Sequence, residues 1–137
     1  PMMRRITATL TLLLVALAVQ GCAFVDNDTS VSDGVEGTYY VNGVDPGGTE
    51  YGGQLIITRT GTNQYDMDWI VTGSIQSGSG RFNGDVLDAE WRTVEGFRES
   101  SGTARYEIQE DGSLIGERFE SRFEEAGYEE AFPVQLK

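Results

Sequence analysis

The chain has 137 residues, 22 of them acidic and 10 basic, for a formal charge of −12 at pH 7, which is one domain's worth of protein. It contains one cysteine and no histidine, which excludes an internal disulfide, Ser-His-Asp and Cys-His nucleophile pairs and histidine-based zinc sites. The acidity also excludes nucleic acid as a partner, because phosphates demand Lys and Arg on the protein side.

Lys137 is the only lysine, so a buried amine nucleophile is not expected either. Carboxylates, arginines, tyrosines and hydroxyls remain for chemistry, and neither a cofactor nor a metal is implied. The charge is unevenly placed. Residues 1–21 carry Arg4 and Arg5 and no acid, so from Cys22 onward eight basic residues stand against 22 acidic ones, a balance of −14. That balance suits solubility, a cation or a basic protein partner. It opposes adsorption of the folded part to an anionic membrane surface.

Residues 4–22 read RRITATLTLLLVALAVQGC. Two arginines precede an apolar run from Ile6 to Val19, shorter than the roughly 20 residues a permanent membrane span requires. A positive start, a short apolar helix and small residues near its end form the layout of an export signal. Val19-Gln20-Gly21-Cys22 then resembles the lipobox of bacterial lipoproteins: an aliphatic residue, a variable one, a small one and Cys. The resemblance implies a diacylglycerol on the Cys22 sulfur, cleavage between Gly21 and Cys22, and a further acyl chain on the new amine. Two or three chains hold a protein on a bilayer where one binds only marginally. Ala23 follows the cysteine instead of Asp, which by the same resemblance implies the outer membrane, with the domain facing the periplasm or the cell surface.

Residues 23–35, AFVDNDTSVSDGV, show no periodicity and read as a flexible linker. Their alternating acids and hydroxyls are unsuited to calcium, since Val31 stands where the loop needs Gly and Gly37 where it needs Glu. The expected organisation is a signal peptide over 1–21, an acylated Cys22 and linker over 22–35, and a β domain over 36–137.

From Glu36 the apolar period becomes two. Tyr65, Met67, Trp69 and Val71 alternate with Asp66, Asp68 and Ile70; Leu87, Ala89 and Trp91 alternate with Asp88, Glu90 and Arg92; Ala104, Tyr106 and Ile108 alternate with Arg105 and Glu107. Each such stretch is a strand with one face buried, the antiparallel pattern. The turns TGTN, TGS, FNGD and EDGS lie between them, and Asn-Gly and Asp-Gly favour tight hairpins. Eight strands are predicted near 37–44, 50–60, 64–72, 74–82, 85–94, 102–109, 113–122 and 128–136. The alternative for residues 120–132, ESRFEEAGYEEAF, is a short helical turn. Short connections throughout predict an all-β, up-and-down antiparallel barrel, because closure removes exposed sheet edges. Gly37-Thr38-Tyr39-Tyr40 resembles the Gly-x-Trp opening of avidin-like and lipocalin-like barrels, a resemblance that implies the fold and no site.

Tyr39, Tyr51, Tyr65, Trp69, Trp91 and Tyr106, with Tyr40, Phe82 and Phe119, are the candidates to line a ligand cavity. An eight-stranded barrel is just wide enough to be filled by side chains or to hold one small ligand, and the sequence leaves both readings open. The pairs Asp66/Asp68 and Asp88/Glu90 have the residue types of a glycoside hydrolase. They are predicted to face solvent, where neither partner is held protonated, so the expected protein is not an enzyme. Glu124, Glu125, Glu129 and Glu130 around Tyr128 read as an exposed acidic turn. The leading expectation is a binding module for a small apolar ligand or a protein. The alternative is an inhibitor or adhesin that meets a basic protein, as some anchored lysozyme inhibitors do. Mass spectrometry of the mature protein is expected to find Cys22 as its first residue, carrying acyl chains; an unmodified protein trimmed elsewhere would refute the lipobox.

Overall fold

The computed structural model describes residues 34–134. The expected signal helix, the Gly21–Cys22 cleavage point, Cys22 itself and the linker up to residue 33 lie outside the described residues. Eight strands follow one another: β1 Gly37–Val44, β2 Glu50–Gly61, β3 Gln64–Val71, β4 Ser74–Phe82, β5 Val86–Gly96, β6 Ser101–Ile108, β7 Leu114–Glu120 and β8 Gly127–Pro133. Each pairs antiparallel with the next, and β8 pairs with β1 to close the barrel. The predicted eight-stranded up-and-down barrel is therefore the fold. Residues 121–126 connect β7 to β8 through turns and bends and hold no helix, and β8 ends at Pro133, short of the predicted 136.

Alternation sets which residues enter the core. Tyr65, Met67 and Trp69 of β3, Leu87, Ala89 and Trp91 of β5, and Ala104 and Tyr106 of β6 are all buried, as the pattern required. Asp66, Asp88, Glu90, Arg105 and Glu107 alternate with them on an exposed outer wall. That wall is charged where a membrane-spanning barrel would carry an apolar band. Between β4 and β5 the Asn83 side chain accepts the backbone N–H groups of Asp85 and Val86, each at 2.9 Å, and Gly84 takes φ +105° to complete the turn. The predicted Asn-Gly signal thus works through its side chain as well as its backbone.

Up-and-down connectivity divides the seven connections between two ends. Residues 62–63, 83–85 and 109–113 lie at the end where β1 begins, and residues 45–49, 72–73, 97–100 and 121–126 at the other. Val35 fills the first end: it is buried, and the Tyr39 hydroxyl donates to its carbonyl at 2.7 Å. Leu55, Ile57, Met67, Leu87, Leu114 and Ala131 pack between them without contact with solvent. A bulge in β5 offsets the pairing, so that Ile75 faces Glu95 while Gln76 faces Thr93, which re-aims the wall toward the second end.

Close approach of strands β4 and β5 depends on Gly78. A Cβ there would lie 1.7 Å from the Glu90 carbonyl oxygen, an overlap that only backbone movement could relieve. Gly78→Ala is expected to lower the unfolding free energy by about 1–3 kcal/mol, read from urea denaturation. Gly34→Ala, with open space around the new methyl, is the control that should leave the midpoint in place.

Candidate functional site

The charged residues that matter most lie inside. Glu129 of β8 has no solvent exposure, so its carboxylate requires partners. Its Oε1 accepts the Tyr51 hydroxyl at 2.5 Å and the Arg118 Nη1 at 3.0 Å. Its Oε2 accepts the Tyr106 hydroxyl at 2.6 Å and the Trp69 Nε1 at 3.1 Å. These bonds use the roughly four acceptor positions a carboxylate has.

Two glycines make this possible. Gly43 of β1 is the register partner of both Tyr51 and Glu129, and Gly116 of β7 is the partner of both Tyr106 and Glu129. A Cβ on Gly43 would come within 2.4 Å of Tyr51 Cζ, and one on Gly116 within 2.7 Å of Tyr106 Cδ1. Each tyrosine ring therefore lies across a missing side chain to deliver its hydroxyl to the carboxylate.

Arg118 of β7 is the countercharge, with only 7% of its side chain exposed. Its Nη2 donates to Gln76 Oε1 at 2.7 Å, and the Gln76 amide nitrogen continues to Ser74 Oγ at 3.3 Å. The guanidinium lies 4.9 Å from the Trp69 ring centroid and 4.3 Å from that of Trp91, so the cation is held by two indoles as well as by a carboxylate. Burial, the largest single influence, would weaken its proton affinity, but the Glu129 carboxylate together with Tyr106 and Tyr51 outweighs it and holds Arg118 above its ordinary value. Burial, reinforced by the charge of Glu129, raises both Tyr51 and Tyr106 well above the usual phenol. Burial, with Tyr65 nearby, pushes Tyr39 up to about 12.

Above this network the barrel is hollow. A cavity of about 240 Å³ opens at the second end, lined by Tyr51, Val71, Gln76, Trp91 and Arg118 from the strands and by Phe97 and Arg98 from the β5–β6 connection. This mouth is small beside the roughly 300–1,000 Å³ of many ligand pockets, but polar groups from several strands converge on it. A larger groove of about 780 Å³ lies on the outer wall over Asp66, Arg81, Asp88, Glu90 and Arg105. There Asp88 is gripped by Arg105 Nε at 2.7 Å, and that hydrogen bond holds its carboxyl below the usual range. The mouth is the better candidate because the polar groups at its floor, Arg118 and Gln76, are held in fixed positions by buried partners.

The structure divides the predicted lining residues. Tyr51 and Trp91 line the mouth, Tyr39, Trp69 and Tyr106 are packed into the core, and Tyr65 is buried beside the outer groove. Tyr40 and Phe119 point outward, 56% and 40% exposed. The carboxylates Asp66, Asp88 and Glu90 border the outer groove, and Asp68 accepts the Ser77 hydroxyl at 2.7 Å; none of them lines the mouth. The predicted exposed acidic turn needs correction at Glu129, because the Tyr128, Glu130 and Phe132 side of β8 faces out and Glu129 faces in.

Comparison with known protein families and with curated proteins finds no match. Among solved structures the chain is similar to a redesigned β-barrel, with TM-score 0.64 and 12% identity over 74% of this chain and 93% of that one. It is also similar to a second redesigned β-barrel, bound to DFHBI, with TM-score 0.64 and 11% identity over 72% and 94% of the two chains. It is a small closed barrel. At such identities the likeness carries the fold and nothing more.

Sequence reasoning passed over Arg118 and Gln76 and placed Glu129 on the outside. The available signal was parity: Leu114 and Gly116 share a face with Arg118, and Gly127 and Ala131 share one with Glu129. The aromatic neighbours Phe119 and Tyr128 pointed the reading the other way.

Glu129→Leu is expected to destabilise the protein by about 3–5 kcal/mol, because it strands a buried cation. The double variant Arg118→Leu/Glu129→Leu should recover only the part of that loss owed to the unpaired cation in denaturant titrations, because Tyr51, Tyr106 and Trp69 still lack their acceptor. A second expectation follows from the tyrosines. Tyr39, Tyr51 and Tyr106 keep their protons in the folded state after unfolded tyrosine, near 10, has lost them. Their contribution is full below pH 10 and declines as pH rises, by up to about 1.4 kcal/mol per pH unit for each group. Stability should fall steeply above pH 10, and tyrosinate absorbance from Tyr51 and Tyr106 should appear only with unfolding, while Tyr39 in the folded protein ionises near 12.

Proposed function

We propose that this chain is a bacterial lipoprotein, fixed to the outer membrane by acyl chains on Cys22, whose barrel binds a small molecule in its mouth. The observation that supports binding is the floor of the cavity. Replacing a buried ion pair with apolar residues is often neutral or stabilising, by about 1–4 kcal/mol where that has been measured. A pair kept at a cavity floor, gripped by two indoles, therefore argues for recognition rather than for stability.

Several nearby carboxylates are already committed. Asp45 accepts the backbone N–H groups of Gly47 and Thr49 at 2.9 Å, Glu120 is paired with Arg122, and Glu129 is saturated. This supports binding without turnover. One of the barrels the chain is similar to is bound to DFHBI, which supports the reading that the architecture accommodates a ligand. The chain joins the barrel at the end filled by Val35, opposite the mouth, which suits a tethered receptor whose opening must stay accessible.

Native mass spectrometry of the protein taken from its own membrane is expected to find one small molecule bound. Val71→Trp, which fills the cavity from its wall, should eliminate that mass without unfolding the barrel. Cys22→Ser should release the protein from the membrane fraction with its ligand still bound. An empty mouth together with salt-sensitive capture of a basic protein would replace this reading with the inhibitor or adhesin one, since screening weakens exposed charge attraction.

A further inference from the structure

The chemistry of the floor narrows what the mouth accepts. An arginine has five N–H donors in one plane. Arg118 spends one on Glu129, one on Gln76 and one on the Tyr51 hydroxyl, which leaves two of the five for a ligand. Its faces are covered by Trp69 and Trp91, so a further bond can form only at the edge of the guanidinium plane. Glu129 offers nothing in return, because all four of its acceptor positions are used. The spare hydrogen-bonding capacity of Arg118 at the floor is thus donor capacity, and a ligand must bring an acceptor.

Charge decides which acceptor. Arg118 is already neutralised by a carboxylate in direct contact, and both side chains are almost fully shielded from solvent. An anion bound at its edge would stand against Glu129 with one cation shared between them, and an uncompensated buried charge is costly. Higher in the lining, Arg98 and Arg122 are offset by Asp45, Glu50 and Glu120, so no surplus of positive charge draws an anion in. A cation fares no better, because the floor has no free carboxylate. The apolar walls are Trp91 and Val71, with Phe97 at the rim, 95% exposed and lying along the Gly73 turn.

The geometry points to an uncharged, flat carbonyl compound, its oxygen bonded to the free edge of Arg118 and its body lying along Trp91. This rests on the proposal that the mouth binds a small molecule at all, and the test separates the two. Four probes of similar size are titrated into the full chain: benzamide, benzoate, benzamidinium and toluene. The readout is the indole N–H resonance of Trp91, which donates to the Thr103 carbonyl at 3.1 Å. Benzamide is expected to bind at least about tenfold more tightly than each of the others, because it alone combines neutrality with an acceptor, and its affinity should not change with salt.

Tighter binding of benzoate, weakened by salt, would overturn the inference and leave ligand binding standing, with the site reading charge. Toluene equal to benzamide would likewise overturn it, because the Arg118 donors would then be unused. No shift of Trp91 with any probe would remove the ligand-binding proposal and this inference with it. Gln76→Leu frees a further Arg118 donor without removing either charge, and is expected to widen the preference for benzamide over toluene.

Discussion

The barrel is organised around one buried contact, the ion pair between Arg118 of β7 and Glu129 of β8. The carboxylate gathers Tyr51 from β2, Trp69 from β3 and Tyr106 from β6, and the guanidinium gathers Gln76 from β4 and Trp91 from β5. β1 contributes by omission, since Gly43 leaves the space that Tyr51 crosses. Every strand of the closed sheet therefore meets the pair or makes room for it. The two partners also sit on the shortest seam of the barrel, where β7 and β8 match over five residues. A charge buried in a low-dielectric interior tolerates little misalignment, so this contact fixes register where backbone pairing is thinnest.

The pair also separates two kinds of interior. Toward the end where the chain enters, Val35, Leu55, Ile57, Leu87 and Leu114 fill the space as a conventional apolar core. Toward the other end the wall is built from Gln76, Arg118 and Glu120, polar side chains that hold one another or Arg122 at the wall and leave no apolar groups to fill the centre. The barrel therefore stays open there. Whether such a barrel is filled or hollow has no single answer for this molecule: it is filled below the ion pair and hollow above it.

The alternating strands were legible because hydrophobic burial is a local pattern with a period of two. On β3, β5 and β6 the inward residues are apolar and the outward ones mostly charged, so side-chain chemistry and orientation agree. The turns were legible for a similar reason, since Asn83-Gly84 carries its own hydrogen bonds. On β7 and β8 the agreement fails. Arg118 and Glu129 point inward while Phe119 and Tyr128 point outward. A rule that places charges outside and rings inside must misread both strands, because two charges that cancel each other can be buried, and each strand alone shows only one of them.

The sequence by itself determined the strand count, the turn positions and most of the core, because those follow from interactions between residues near in the chain; closure followed from short connections and the need to leave no sheet edge exposed. It also determined the negative charge of the outer wall. Only the tertiary structure decided that Glu129 is saturated by partners 11 to 78 residues distant, that Gly43 and Gly116 are gaps spanned by tyrosines, and that a cavity remains above. The reason is that a charge's burial depends on a countercharge brought by another strand. Register between strands supplies that meeting, and no stretch of one strand contains it.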